Sequence, residues 1–450
     1  MINQKKHIVL FGAGKSSYYI LDFFKSYVAE GKYDFTIVTN ENNPTSYVHQ
    51  FVNELSGFSL KVLDIADSKK VDEIIQSATV VISMLPASLH IKLTPYCLAH
   101  HKSFFTASYV SDAMKALNDE VNQKGLLFLN ECGLDPGLDH LSAKKIIDEV
   151  EAEGGKVVGF ESFTGGLIAP ESDDNPWGYK ITWNPKNVIL AGQGGAAKFY
   201  QNGTLKYIPY QKLFRRTELI EVPGFGKFEG YANRDSTQYK EIYNLNDSAT
   251  VFRGTLRKLG FCKAWDKLIQ LGYTDDTYKV KGSENLTYRE FTNLFLAYNI
   301  SDTVEMKFQR YLNIAQDDFE IWTRLEHLGL FSTEKIGIIN ATPAEVLQKM
   351  VEQSLKLKSE DKDMIVMHHI FDCDFGGKRI KKTSSIVVLG ENTFKTAMAK
   401  TVGLPLAIAT HQYLEGQIKS TGVKIPVEKE IYQPILQQLK TDFDISFIEQ

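Results

Sequence analysis

The sequence predicts an α/β protein: a doubly wound parallel sheet first, then a second domain with a mixed sheet and a helical insert. Three observations predict it. Short apolar runs alternate with amphipathic helical stretches over the first 130 residues, the pattern of βαβ units. Residues 157–240 are rich in glycine, aromatics and β-like runs, and a helical stretch follows from about 248 to 360. Two strand-like runs and two closing helices end the chain, as in a nested insertion whose chain returns to its first domain. For 450 residues, about two to three domains is the ordinary expectation.

The elements follow in order. His7–Phe11 is an apolar run ending in Gly12-Ala13-Gly14, and Tyr18–Val28 is helix-like. Phe35–Val38, Leu60–Leu63 (stopped by Asp64), Val80–Met84 (stopped by Pro86), Phe104–Thr106 and Leu126–Leu129 read as strands, with a helix at Ser68–Gln76. Beyond them Lys156–Thr164, Lys180–Trp183, Val188–Ala191 and Leu205–Tyr210 are β-like. Asn202-Gly203 favours a hairpin turn, either joining a helical Ala196–Tyr200 to Leu205–Tyr210 or closing a short ribbon. Helical periodicity marks Tyr288–Tyr298, Thr303–Tyr311, Asp318–Leu328 and Ala344–Leu357. Thr342 serves the last as N-cap and Pro343 as its first residue. The aromatics Tyr288, Phe291, Phe295, Tyr298, Phe308 and Tyr311 read as core. Asp363–Phe371 and Thr383–Leu389 read as strands, Phe394–His411 and Glu430–Leu439 as helices.

Composition excludes several functions. Net charge is −4, from 51 basic and 55 acidic residues, so no basic excess suggests a nucleic-acid groove. No apolar run approaches the roughly 18 residues that span a bilayer, so no membrane partner is expected. The N-terminus runs straight into a strand, which predicts no targeting leader. Cys97, Cys132, Cys262 and Cys373 lie far apart, without CxxC or zinc spacing. The expectation is a soluble, cytoplasmic protein with reduced thiols and no metal. The pairs His100-His101 and His368-His369 likewise lack metal-ligand spacing.

The segment Ile8–Ser17 carries the first chemistry: a strand, a glycine turn and a helix start. Gly12 permits the tight turn, and Gly14 lets backbone N–H groups approach a pyrophosphate at the helix tip. Ser17 stands where the third glycine of the dinucleotide fingerprint belongs, so the fingerprint is incomplete; the alternative is a tight βα turn without a ligand. Gly14-Lys15-Ser16 is not a triphosphate loop, because Val9 occupies the position where that motif requires glycine. After the second strand an acid favours NAD and an arginine favours NADP. Thr39-Asn40-Glu41 gives neither signal cleanly, and the residues leave the choice open.

A series of motifs extends along the rest of the chain. Val81-Ile82-Ser83-Met84-Leu85-Pro86 comes first, then Thr106-Ala107-Ser108-Tyr109-Val110-Ser111. Asn130-Glu131-Cys132-Gly133-Leu134-Asp135-Pro136-Gly137-Leu138-Asp139-His140 follows. Further on stand Gly165–Glu171, Asp174–Lys180, Asn233-Arg234-Asp235-Ser236-Thr237 and Arg253-Gly254-Thr255-Leu256-Arg257. Together these resemble the saccharopine dehydrogenase (L-glutamate-forming), or saccharopine reductase, family, from Gly12 to Thr401–Pro405.

The resemblance implies a Rossmann domain over residues 1–130, completed by about 395–450. It further implies an α/β substrate domain over 131–247 and 361–394, and a helical insert over 248–360. It implies an oxidoreductase using NADP or NAD, with NADP favoured, and a homodimer. Its small-molecule substrates would be saccharopine, glutamate and 2-aminoadipate 6-semialdehyde, interconverted through an imine. In that pattern Gly12, Ala13, Gly14, Lys15, Ser16 and Ser17 hold the pyrophosphate. Asp64 and Ile65 flank the adenine; Thr39 and Asn40 are read as cofactor-binding, with Asn40 able to bond either the ribose hydroxyls of NAD or the extra phosphate of NADP. Ser83, Met84 and Leu85 run along the cofactor and substrate edge. Thr106, Ser108, Tyr109 and the Leu134-Asp135-Pro136 turn lie near the nicotinamide.

Saccharopine carries three carboxylates, which calls for fixed cations. Arg234, within Asn233–Thr237, is either a forked carboxylate clamp or a surface ion pair. Asp235, Ser236 and Thr237 would orient the tri-acid beside it. Lys186 stands where relatives carry arginine; it keeps the charge without the fork, or is a solvated turn lysine. For proton handling, Cys132 would lie against the reacting centre, or be a buried inert thiol. Asp112 is an acid–base group or an ordinary helix-start acid. Asp135 and Asp139 suit turn and cap positions, and His140 a structural one. An iminium is already electrophilic, so no single residue need be indispensable. Two alternatives stand beside this reading: a carboxynorspermidine-type imine reductase, and a catalytically inactive dinucleotide-binding sensor.

Overall fold

The computed structural model describes residues 5–43, 46–54, 57–191, 193 and 195–450. Met1–Gln4, whose run into the first strand suggested no leader, lies outside the described residues. The chain divides into two compact units, Met1–Lys156 with Gly390–Ile448, and Val157–Leu389 with Glu449–Gln450.

Among the described residues of the first unit, seven strands form one parallel sheet. Its order is Gly422–Lys424, Leu127–Leu129, Ser103–Thr106, Val80–Ser83, Lys6–Phe11, Tyr33–Thr39 and Phe58–Val62. Ile8, Val9, Leu10 and Phe11 are fully buried in succession, as a central strand covered on both faces must be. The strand order reverses around Lys6–Phe11, which has Tyr33–Thr39 on one side and Val80–Ser83 on the other. That switch point is where such sheets bind ligands, beyond the strand C-termini. Helix Tyr18–Ala29 buries Ile20, Leu21, Phe24 and Val28. Helix Ala397–Leu414 crosses its start closely, since a Cβ on Gly403 would stand 3.3 Å from Ile20 and from the Ser16 carbonyl oxygen. The C-terminal segment also adds the outer strand Gly422–Lys424, so this sheet is built from both ends of the chain.

The second unit holds a nine-stranded mixed sheet among the described residues. Thr250–Arg257 runs parallel to Lys156–Ile168 at its centre, and antiparallel hairpins flank them: Thr217–Val222 with Gly226–Ala232, and Asp363–Phe375 with Lys378–Leu389. Helices Phe261–Leu271, Tyr288–Leu294, Val304–Tyr311, Phe319–His327 and Pro343–Ser354 carry this unit's core, which includes Trp177, Tyr179, Phe261 and Trp265. Thr342 caps the last of them in a reciprocal capping box with Glu345.

Several sequence expectations need correction here. Ala196–Tyr200 is a strand, Ala197–Gln201, paired antiparallel with Thr204–Ile208. Asn202 and Gly203, at φ +49° and +75°, close that ribbon in the left-handed region a two-residue hairpin requires. Val188–Ala191 is not a strand. Asn184 caps the Lys186 N–H and Pro185 opens a helix, Pro185–Ile189, so capping overrides the aliphatic composition. Lys180–Trp183 contributes a single bridge, Ile181 to Lys356. The strand Thr250–Arg257 occupies the start of the region read as helical. Gly254 and the two arginines hide its apolar pattern, and a Cβ on Gly254 would meet the Phe163 ring at 2.6 Å. Tyr298 and Tyr311, read as core, are 92 % and 56 % exposed. Among the described residues, no helix is long and apolar enough to cross a membrane.

Candidate active site

The first strand ends at Phe11, and the chain turns through Gly12 at φ +87°. A Cβ on Gly12 would stand 2.9 Å from the Met84 carbonyl carbon and 3.0 Å from the Leu85 nitrogen. Glycine is therefore required by the neighbouring strand end itself. At Gly14 a Cβ would meet no protein atom within 4 Å, so the fold makes no such demand there; a close ligand would. Ser17, in place of the third fingerprint glycine, is fully buried, and its hydroxyl donates to the Gly14 carbonyl at 2.7 Å. It closes the turn, while Gly403 supplies the close helix approach from the other end of the chain.

A cleft of about 370 Å³ opens above this turn. Its walls include Gly12, Ala13, Gly14, Thr39, Asn40, Asp64, Ile65 and Leu85, all anticipated as cofactor residues. Met84, anticipated at the substrate edge, lines it too. Val38, Glu41, Leu63, Pro86 and Leu89 complete the wall; of these only Glu41 is weighed in the sequence as a cofactor contact, an ambiguous cofactor-selecting acid. Lys15, Ser16, Ser17, Ser83, Thr106, Ser108, Tyr109, Asp135 and Pro136 lie outside its lining.

Three of those residues meet at a histidine that the sequence reading missed. His90 is 4 % exposed on helix Ala87–Ala99. Its Nδ1 lies 2.8 Å from Ser83 Oγ, and its Nε2 lies 2.8 Å from Ser108 Oγ and 3.3 Å from Thr106 Oγ1. Burial pushes its pKa down to about 4, so the ring is neutral near neutral pH. The available signal was register: His90, Leu93, Thr94 and Cys97 are the buried i, i+3, i+4, i+7 positions of that helix, and a histidine there needs polar partners.

Around the next strand end, Tyr109 Oη donates to Asp135 Oδ1 at 3.2 Å. His140 Nε2 lies 2.8 Å from Glu131 Oε2, with both side chains buried, and Asp139 accepts from the Gly137 N–H, which suits the structural roles expected of Asp139 and His140. The Cys132 side chain is fully buried, with its Sγ 3.5 Å from the Pro405 carbonyl oxygen, and burial raises its pKa above the ordinary thiol range. Asp112 is fully exposed in the first turn of a four-residue helix, 3.8 Å from Lys115.

In the second unit, Asn233–Thr237 is fastened by backbone bonds to Lys198 and by Ser236 Oγ accepting from the Arg253 N–H at 3.1 Å. Asp235 is paired with Lys198 at 3.1 Å and accepts from the Thr237 N–H at 2.9 Å. Asp235, Ser236 and Thr237 thus hold the loop, while Arg234, at φ +51°, presents an exposed side chain. Lys186 is exposed on the helix opened by Asn184-Pro185.

Sheet order, glycine turn and cleft together define a dinucleotide-binding protein of the Rossmann class. Two family descriptions cover almost the whole chain: the saccharopine dehydrogenase NADP binding domain matches residues 8–129, and the saccharopine dehydrogenase C-terminal domain matches residues 133–444. The chain belongs to the saccharopine dehydrogenase family. It is 31 % identical to saccharopine dehydrogenase [NADP(+), L-glutamate-forming] of Saccharomyces cerevisiae, over 99 % of both chains. It is 32 % identical to the mitochondrial alpha-aminoadipic semialdehyde synthase of Rattus norvegicus, covering 98 % of this chain and 47 % of that one. The solved apo saccharopine dehydrogenase (L-Glu forming) from Saccharomyces cerevisiae superposes with a TM-score of 0.89 over 99 % of each chain, at 30 % identity. The α/β architecture expected from the sequence is the architecture of that enzyme.

Proposed function

We propose that the protein is an NADP-dependent saccharopine dehydrogenase of the L-glutamate-forming type. It interconverts saccharopine with L-glutamate and 2-aminoadipate 6-semialdehyde, a step of lysine metabolism. One observation carries the reading: the Gly12–Gly14 cleft sits in a chain that aligns end to end with an enzyme of that name. The residues suit a dinucleotide, since Gly12 is forced by the Met84–Leu85 backbone and Gly14 faces open space. When bound, NADP exchanges a hydride with the carbon of the C–N bond. The Gly12–Gly14 backbone holds the pyrophosphate, Asn40 faces the added phosphate, and Asp64 and Ile65 flank the adenine. Ser83–Leu85, Thr106–Tyr109 and Asp135-Pro136 shape the nicotinamide side.

Arg234 and Lys186 hold substrate carboxylates, with Asp235, Ser236 and Thr237 supporting the Arg234 loop. We assign Cys132 to packing, because a thiol whose pKa burial has raised gives little thiolate near neutral pH. Asp112 faces water beside Lys115 and takes no part in this scheme. Protons on the C–N group then pass through water, in keeping with an electrophilic iminium that needs no strong acid. We further propose a cytoplasmic homodimer. The buried thiols support the compartment, and the family resemblance supports the dimer.

The test is a purified protein supplied with saccharopine and either NADP⁺ or NAD⁺, followed by absorbance of the reduced nicotinamide. Turnover with NADP⁺ is expected. Turnover of carboxynorspermidine alone would move the assignment to an imine reductase of that type, and cofactor binding without turnover would mark a sensor.

A further inference from the structure

We propose that His90 is a positioning residue for this reaction: its two ring nitrogens clamp Ser83, at the root of the Met84–Leu85 wall of the cleft, to the Thr106–Ser108 turn, and so fix that wall where the cofactor lies. The proposal rests on the reading of the cleft as the NADP site.

Both ring nitrogens are engaged by hydroxyls on neighbouring strand ends, Nδ1 by Ser83 and Nε2 by Ser108 and Thr106. Ser83 is the last residue of its strand and fully buried. The next residue, Met84, donates its N–H to the Phe11 carbonyl at 2.8 Å. The Met84 carbonyl carbon and Leu85 nitrogen press on Gly12 with no space for a Cβ between them. A shift of Ser83 therefore reaches the glycine turn without slack. On the other side, Thr106 Oγ1 accepts from the Ser108 N–H at 3.2 Å, and the Ser108 carbonyl accepts from the Glu131 N–H at 2.9 Å. His90 thus joins the strand end that leads into the cleft wall to the neighbouring strand end.

Packing alone explains less. The His90 ring makes an edge contact with Phe104, at 6.2 Å between centroids, and an apolar side chain would serve that contact without two hydroxyl partners. A packing role predicts a lower melting temperature with cofactor affinity unchanged. A positioning role predicts loss of affinity in the folded protein.

The experiment compares NADPH dissociation constants, measured by nicotinamide fluorescence, for wild type, His90→Ala, His90→Asn and His90→Gln. Asparagine places its amide near the Nδ1 position and keeps the Ser83 bond; glutamine reaches the Nε2 position and keeps the Ser108 bond. NADPH binding is expected to weaken roughly tenfold to a hundredfold in His90→Ala. His90→Asn and His90→Gln each keep one arm of the clamp and should both stay weaker than wild type by more than about threefold. If His90→Ala fails to fold, these two variants decide. Equal affinity in His90→Asn, His90→Gln and wild type overturns the proposal, whatever happens to melting temperature. Full recovery by either variant alone also overturns it, since one bond would then suffice and no clamp would be at work. A wild type that binds no NADPH overturns the cofactor reading and this proposal together, whereas a binding wild type with indifferent variants overturns the proposal alone.

Discussion

Replacing Gly12 by alanine tests the physical basis of the cleft. The residue sits at φ +87°, where an L side chain costs about 1–2 kcal/mol. The new methyl would stand 2.9 Å from the Met84 carbonyl carbon and 3.0 Å from both the Leu85 nitrogen and the Met84 carbonyl oxygen. Those atoms are backbone, held by the Met84 N–H bond to Phe11 and by the parallel pairing of Phe11 with Ser83. Opening the contact to an ordinary separation needs a shift of about half an ångström, and forcing such an overpacked contact costs roughly 1–3 kcal/mol. The sum is a destabilisation of about 2–5 kcal/mol, with at least a tenfold loss of NADPH affinity because the displaced atoms form the cleft wall. Urea unfolding by linear extrapolation measures the first quantity and fluorescence titration the second. Gly14→Ala is the paired control. At φ −82° and with no protein atom near its Cβ, it should change stability by less than about 0.5 kcal/mol while still weakening NADPH binding. The reasoning fails if Gly12→Ala is as stable as wild type, or if Gly14→Ala is the more destabilised of the two.

Three further outcomes are expected. Lys186→Arg, which supplies a forked guanidinium, should lower the Michaelis constant for saccharopine several-fold with turnover nearly unchanged; an unchanged constant would place Lys186 outside the pocket. Cys132→Ala should leave the pH–rate profile unshifted, because a buried thiol that keeps its proton transfers none in the reaction, and loss of a limb of that profile would restore it as a proton carrier. Burial, and then the nearby Glu218 and Asp372, push the Glu161 pKa up to about 7 from 4.5. The folded state thus binds that proton more tightly than the unfolded chain, so its stabilisation is complete below about pH 4.5 and is lost as pH rises towards 7. Glu161→Gln should therefore gain on the order of 2–3 kcal/mol near pH 8 and nothing near pH 4, and equal stability at both would contradict the burial.

The first unit was legible because its signals are local. Its inner strands, buried on both faces, carry continuous apolar runs such as Ile8–Phe11 or Val80–Ile82, whereas the outer strand Gly422–Lys424, three residues long and partly exposed, gave no such signal and was missed. The second unit defeated composition where backbone chemistry decides. Asn184-Pro185 turns an aliphatic stretch into a helix, and the left-handed Asn202-Gly203 pair turns the segment before it into a strand. Thr250–Arg257 was hidden because two of its inward positions are arginines with partners elsewhere in the unit. Arg253 donates to Tyr239 Oη at 2.6 Å, and Arg257 lies 5.1 Å from the Tyr179 ring centre.

The same division governs the site. A parallel sheet brings every strand C-terminus to one edge, so Gly12–Gly14, Thr39-Asn40, Asp64-Ile65 and Met84-Leu85, far apart in sequence, converge on one cleft by topology alone. Strand ends supply most of that wall, Leu89 of helix Ala87–Ala99 adds to it, and the family resemblance had pointed to Asp64, Ile65, Met84 and Leu85. Side-chain convergence has no such rule. His90 gathers Ser83, Thr106 and Ser108 from a helix face, and only the rotation of that helix, fixed by Leu93 and Cys97 entering the core, decides that it points inward. The Arg234 loop depends likewise on Ser236 and Asp235 finding Arg253 and Lys198 on other strands. A wall built from backbone is thus readable from strand ends. Positions that act through side chains, as proposed for His90 and Arg234, become readable once the buried register of each helix and loop is known.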